Sequence, residues 1–122
     1  MKKVFLSLLM VYSSFSYSGW MLITDDSQGK FYVENLAIKR FNEIREFWGI
    51  QNLRIPNGNV ASGKALHKVN CITRTTDVLY MSSHTEINAG GVRLREFQNA
   101  GVSFTADEKP ELAPIIDFVC SQ

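Results

Sequence analysis

Few side chains in this 122-residue sequence have the types and spacing that chemistry requires. Two cysteines, Cys71 and Cys120, and two histidines, His67 and His84, are the soft or near-neutral ligands available. His67 and Cys71 lie four residues apart, but no second close pair completes the spacing of a zinc site, so neither a metal nor another cofactor is expected. Either histidine could meet Asp77 or Glu86, but a solvated strand histidine is the plainer reading. The serines lack the strand-to-helix elbow of a nucleophile. Gly58-x4-Gly63-Lys64 has phosphate-loop spacing, yet Ala65 stands where Ser or Thr must ligate magnesium, and no strand-to-helix context surrounds it. Asp25-Asp26 falls in a turn, and Asp107-Glu108 suits a helix start. No catalytic residue is assigned and no enzyme is expected; a small hydrolase or inhibitor is the weakest alternative.

The cysteines have a different use. Met1-Lys2-Lys3 is followed by an apolar run from Val4 to Tyr12 and by small residues up to Ser18. That order predicts a signal peptide over 1–18 and a mature domain over 19–122. The run is shorter than the ~20 residues that span a bilayer. No cysteine follows it, so neither lipid attachment nor a membrane anchor is expected. An exported chain meets an oxidising compartment, where two cysteines pair. A Cys71–Cys120 bond closes a loop of about 50 residues and is worth ~4 kcal/mol on the chain-entropy model. A zinc site or a reactive thiol is the competing reading. Removing residues 1–18 leaves 11 basic against 12 acidic side chains, a formal charge of −1. That near-neutrality gives no case for a nucleic-acid partner.

The remaining pattern is mostly that of strands. Trp20 to Thr24 and Lys30 to Ile38 flank the turn formers Asp25-Asp26-Ser27-Gln28-Gly29 and read as a hairpin. Asn42-Glu43 reads as a turn. From Arg40 to Leu53 the residues alone leave helix and strand open. Arg54 to Gly63, with Pro56, Asn57-Gly58 and Asn59, reads as an exposed loop. Lys64 to Thr76 alternates, with His67, Val69 and Cys71 on the core side. Val78 to Met81 and Val92 to Phe97 flank a turn at Asn88-Ala89-Gly90-Gly91. Thr105 and Glu108 have capping-box spacing. Leu112, Ile115, Ile116 and Val119 then form one helical face that carries Cys120, with the regular helix starting near Pro114. The fold class is α+β: about six mainly antiparallel strands and a C-terminal helix tied to the sheet.

Two basic faces are candidates for recognition. Arg93, Arg95 and Phe97 are expected to share one strand face, and Lys64, Lys68 and Arg74 another. Either suits an acidic protein or glycan ligand, although a solvated sheet face has the same composition.

Several segments in order carry a resemblance. They are Trp20, Gly29-Lys30-Phe31-Tyr32-Val33, Phe47-Trp48, Ser62-Gly63-Lys64-Ala65-Leu66, Val69-Asn70-Cys71-Ile72-Thr73-Arg74 and Phe118-Val119-Cys120. This layout, over most of residues 20–120, resembles the surface-adhesin protein E family of Gram-negative bacteria. The resemblance implies an antiparallel sheet with a helix bound by the Cys71–Cys120 disulfide, and it favours a strand over 44–53. It also implies a non-enzymatic binding module that recognises host matrix proteins or envelope components and can form a homodimer. No ligand-binding residue carries over from the resemblance; the basic strand face makes Arg93, Arg95 and Phe97 the expected ligand contacts. The location would be periplasmic, secreted or at the cell surface. A periplasmic structural module without a host ligand is the alternative.

Overall fold

The computed structural model describes residues 19–122; the signal peptide expected over 1–18 lies outside them. Seven strands run in sequence: β1 (Trp20–Asp26), β2 (Gly29–Glu34), β3 (Lys39–Phe41), β4 (Ile44–Asn57), β5 (Val60–Asn70), β6 (Thr75–Glu86) and β7 (Gly90–Thr105). One helix, α1 (Ala113–Cys120), follows. The sheet is an antiparallel meander in the order β1-β2-β4-β5-β6-β7. β3 continues the line of β2 along β4: β2 pairs with 49–53 and β3 with 44–46. The short 3-10 turn Asn35–Ala37 separates the two. So the expected strand 30–38 ends at Glu34, and seven strands replace about six.

Alternation along the strands sets the two faces of the sheet. One face carries Phe31, Val33, Phe47 and Val69, all buried. Ile115, Ile116 and Val119 of α1 pack against them. They occupy one stripe of the helix because positions three and four apart share a side. Each such side chain removed from water is worth roughly 1.5–3 kcal/mol. Gly49 faces Phe31 in this layer, where an added Cβ would lie 2.5 Å from Phe31 Cζ. That close approach explains a glycine within a strand.

The chain enters α1 through a turn rather than a helical start. Thr105 Oγ1 accepts from Glu108 N at 3.1 Å, and Thr105 N donates to Glu108 Oε1 at 3.0 Å. This is the reciprocal bonding of a capping box, but it closes a turn ahead of the 3-10 segment Pro110–Leu112. Pro114 then falls in the first turn of α1, where no backbone donor is lost.

Two other expectations are corrected. Residues 54–63 are not an open loop: β4 and β5 extend to a tight tip in which Asn57 pairs with Val60 and Gly58 takes φ +58°. The strand expected from Lys64 to Thr76 is broken after Asn70. Asn70 Oδ1 accepts from Ile72 N at 2.9 Å and from Thr73 N at 3.1 Å. Arg74, at φ +57°, completes the turn into β6. Cys71 therefore lies at the start of a turn, directly beyond the buried Val69.

Candidate functional site

The junction of sheet and helix is covalent. Cys71 Sγ and Cys120 Sγ are 2.05 Å apart, with Cα atoms separated by 5.7 Å. The half-buried sulfurs pack against the main core. Beside them Arg74 Nη1 lies 2.8 Å from Asp117 Oδ1. Arg74 is thereby committed to the helix, and only Lys64 and Lys68 of the second basic set share a sheet face. Lys64 Nζ sits 5.1 Å from the centre of the Trp48 ring. Trp48 in turn meets Tyr80 edge to face, their ring centres 5.6 Å apart.

Both histidines depart from the solvated reading. His67 stacks on Phe47, with ring centres 5.0 Å apart, and meets Phe31 edge-on. Its Nδ1 is sealed from solvent and has no hydrogen-bond partner among the described residues. Burial pulls its pKa down to about 4, so the ring is neutral at physiological pH. His84 is 8% exposed. Its Nε2 is 2.8 Å from Ser82 Oγ, itself buried. Desolvation lowers the His84 pKa, and the Lys64 and Arg93 charges push it the same way.

Ser82 and His84 have the separation of a nucleophile and its base. Residues i and i+2 of β6 point to one face, which alone brings them together. Both are shut away from solvent, and among the described residues no carboxylate is bonded to the imidazole to orient it as catalysis would need. Among the described residues no three His, Cys, Asp or Glu side chains converge as a metal site would require.

The expected recognition strand is the exposed edge of the sheet. Among the described residues β7 pairs only with β6, and residues 91–99 are exposed throughout. Arg93, Arg95 and Phe97 do not share one face, however. Arg93 lies opposite His84, whereas Arg95 lies opposite Ser83 and Phe97 opposite Met81. Leu94 is the extra residue of a β-bulge, which reverses the alternation between the two arginines. Arg93 Nη1 consequently reaches Glu96 Oε2 at 2.6 Å, although residues i and i+3 of a regular strand point apart. Tyr80 Oη donates to the same oxygen at 2.8 Å. Arg95 and Phe97 remain together on the opposite face.

Residues 20–121 match the sequence model of the family described as surface-adhesin protein E. The chain belongs to the surface-adhesin protein E family. Solved structures of protein E from Haemophilus influenzae share the fold. One crystal form superimposes with a TM-score of 0.62 at 15% identity, covering 85% of this chain and 88% of that one. A second structure gives 0.59 at 18% identity, with 85% of each chain covered. A third, from a non-typeable strain, gives 0.60 at 14% identity over 85% of this chain and 76% of that one. No curated protein matches the chain. In this surface-adhesin protein E family member no described helix is long and apolar enough to cross a membrane.

Proposed function

We propose that this member of the surface-adhesin protein E family is an exported, non-enzymatic binding protein that recognises a protein ligand through the edge strand β7. The observation that carries this reading is the exposure of β7 on one side of the sheet. An edge strand offers a row of backbone donors and acceptors to an extended segment of a partner. Val92, Leu94 and Phe97 add apolar area, with exposures of 65%, 38% and 48%. Arg95 beside Phe97 supplies a cation on one face, and on the other Arg93 and its partner Glu96 present an ion pair. Matrix proteins of a host and components of the bacterial envelope are the two partner groups that fit the family. A glycan would need a broader aromatic platform than Phe97 alone provides.

The test is a binding assay of the purified exported protein against both partner groups. Arg93→Glu with Arg95→Glu should abolish capture while leaving the fold intact by circular dichroism. Unchanged capture by that variant rules out the arginines of β7 as contacts. Cell fractionation decides between the partner groups, because a strictly periplasmic protein reaches no host surface. Sedimentation of the wild type shows whether a second copy of the chain occupies the same edge.

A further inference from the structure

α1 packs on one face of the sheet, against Phe31, Val33, Phe47 and Val69. The opposite face gathers aromatic rings around a lysine. Tyr32, Ile50 and Lys64 are paired in one row across β2, β4 and β5. Trp48, Leu66 and Tyr80 form the next row across β4, β5 and β6. Alternation puts both rows on the side away from α1. Trp20 leans in from β1, so that Lys64 Nζ is 6.0 Å from its ring centre and 5.1 Å from that of Trp48. The edge-to-face contact of Trp48 with Tyr80 continues the line of rings. The chain has two tryptophans, and both meet at this one lysine. Trp20, Trp48, Tyr80 and Lys64 are all half-buried, so each keeps surface open to solvent. From β1 to β6 the line crosses four gaps between strands, ~19 Å in all.

The charges on this face are unevenly matched. Glu96, opposite Ser82, is held by Arg93 and Tyr80. Glu46 is paired in register with Lys39 on one side and Lys68 on the other. Lys64 has no carboxylate within ion-pairing distance among the described residues. The indole faces hold its ammonium without neutralising it. An anionic group is its complement, and an ammonium–carboxylate bond is strong where rings exclude water. Glu34, opposite Trp20, adds one negative charge to the same face and opposes a densely anionic ligand. A second copy of the chain is a poor occupant, because a two-fold axis through the rings sets Lys64 against Lys64. The rings themselves suit the C–H faces of sugars, which meet the electron-rich face of an aromatic ring.

We propose that the sheet face opposite α1 binds an oligosaccharide with spaced carboxylates, of the kind in which uronic acids alternate with neutral sugars. Sugar rings lie against Trp20 and Trp48, and one carboxylate meets Lys64 between them. Arg95 and Phe97 are on the other side of the sheet, so this site stands independently of the contacts assigned to β7.

Both tryptophans belong to the site, so intrinsic fluorescence and the two indole N–H signals of the isotope-labelled exported protein report on it. The probe is a hyaluronate hexasaccharide, added to about 10 mM, where a ligand of millimolar Kd is mostly bound. Saturable shifts of both indoles are expected. Lys64→Gln, which leaves the rings in place, should weaken binding roughly tenfold by removing one charge-assisted bond, and Lys64→Arg should retain it. A neutral chitin hexasaccharide should bind at least severalfold more weakly than hyaluronate, and a heparin hexasaccharide no more tightly. Arg95→Glu should leave hyaluronate binding unchanged. Absence of saturable indole shifts overturns the proposal. So does binding that Lys64→Gln leaves intact, or chitin bound as well as hyaluronate. Tighter binding of heparin, or loss of hyaluronate binding in Arg95→Glu, overturns it too, by assigning the attraction to general polyanion capture or to β7.

Discussion

Arg74 and Asp117 meet at 2.8 Å across the junction that Cys71 and Cys120 close covalently. The turn after β5 thus holds α1 twice, once by charge and once by sulfur. The two ties differ in strength. The arginine and aspartate side chains are 40% and 65% exposed, and such pairs are worth about 0–1 kcal/mol. Asp117 also sits near the helix C-terminus, where the dipole disfavours an anion. Asp117→Ala should therefore shift the urea midpoint of the oxidised protein little, by the equivalent of less than ~1 kcal/mol. A larger loss measured by equilibrium unfolding would show that the charge tie carries the junction.

Removing the sulfur tie should cost much more. The bonded cysteines are 49 residues apart, and a loop of that length corresponds to ~4 kcal/mol. Against a total of about 5–15 kcal/mol for a domain, that is a large share. The Cys71→Ala, Cys120→Ala double variant should unfold at a markedly lower urea concentration. An unchanged midpoint would mean that the Ile115, Ile116 and Val119 packing holds the helix unaided.

His67 makes stability depend on pH with a definite sign. Its folded pKa of about 4 lies below the ordinary value of 6.5, so the unfolded chain takes up the proton first as pH falls. Stability should be full above about pH 6.5 and decline towards pH 4, by on the order of 2–3 kcal/mol from this residue. His84, lowered in the same direction, adds to the slope. Chemical unfolding at pH 7 and pH 4.5 measures the decline. His67→Leu should flatten it, and an equally steep decline in that variant would assign the effect elsewhere.

Gly29 begins β2 at φ +128°, and a Cβ there would run into the Asn52 carbonyl of the neighbouring strand. Backbone strain of roughly 1–3 kcal/mol adds to that clash. Gly29→Ala should lose at least ~2 kcal/mol in thermal or urea unfolding. Gly58→Ala gives a clean contrast, since no atom crowds its tip. A milder effect at Gly29 than at Gly58 would contradict the packing of β2 on β4.

The bulge at Leu94 separates the two arginines of β7 energetically as well as in space. Arg95 and Phe97 should show a coupled loss of ligand binding in a double-mutant cycle, whereas Arg93 and Phe97 should add within about 0.3–0.5 kcal/mol. Coupling of Arg93 to Phe97 would place both on one face after all.

Much of this arrangement was legible in the residues. Asp25-Asp26-Ser27-Gln28-Gly29 marked the first hairpin, and Asp26 Oδ1 does accept from Gln28 N at 2.9 Å. The alternation of His67 and Val69 gave the core face of β5. The pairing of the only two cysteines followed from their number and setting. Three features resisted. Pro56 and Asn57-Gly58 signalled a loop, yet the ladder skips from Asn52 to Asn57, so the proline costs no pairing bond within an extended strand. Asn70 looked like one more strand residue, although its side chain builds the turn that positions Cys71. The register shifts of β6 and β7 have no residue signature, because a bulge depends on the partner strand as much as on its own. Alternation sets His67 on the core side while its polarity suggests solvation, and its neighbours Phe31 and Phe47 decide in favour of burial.

The sheet is a simple meander, each strand lying beside a near neighbour in the chain. Such a surface can zip together one hairpin at a time, each step closing a short loop. Only α1 must travel back to the beginning, where it rests against β1. On loop-closure grounds its docking is expected at the end of folding, after the platform beneath it exists. Oxidation then acts as a latch on a finished assembly, and the timing of the oxidant's arrival has little bearing on which strands find each other.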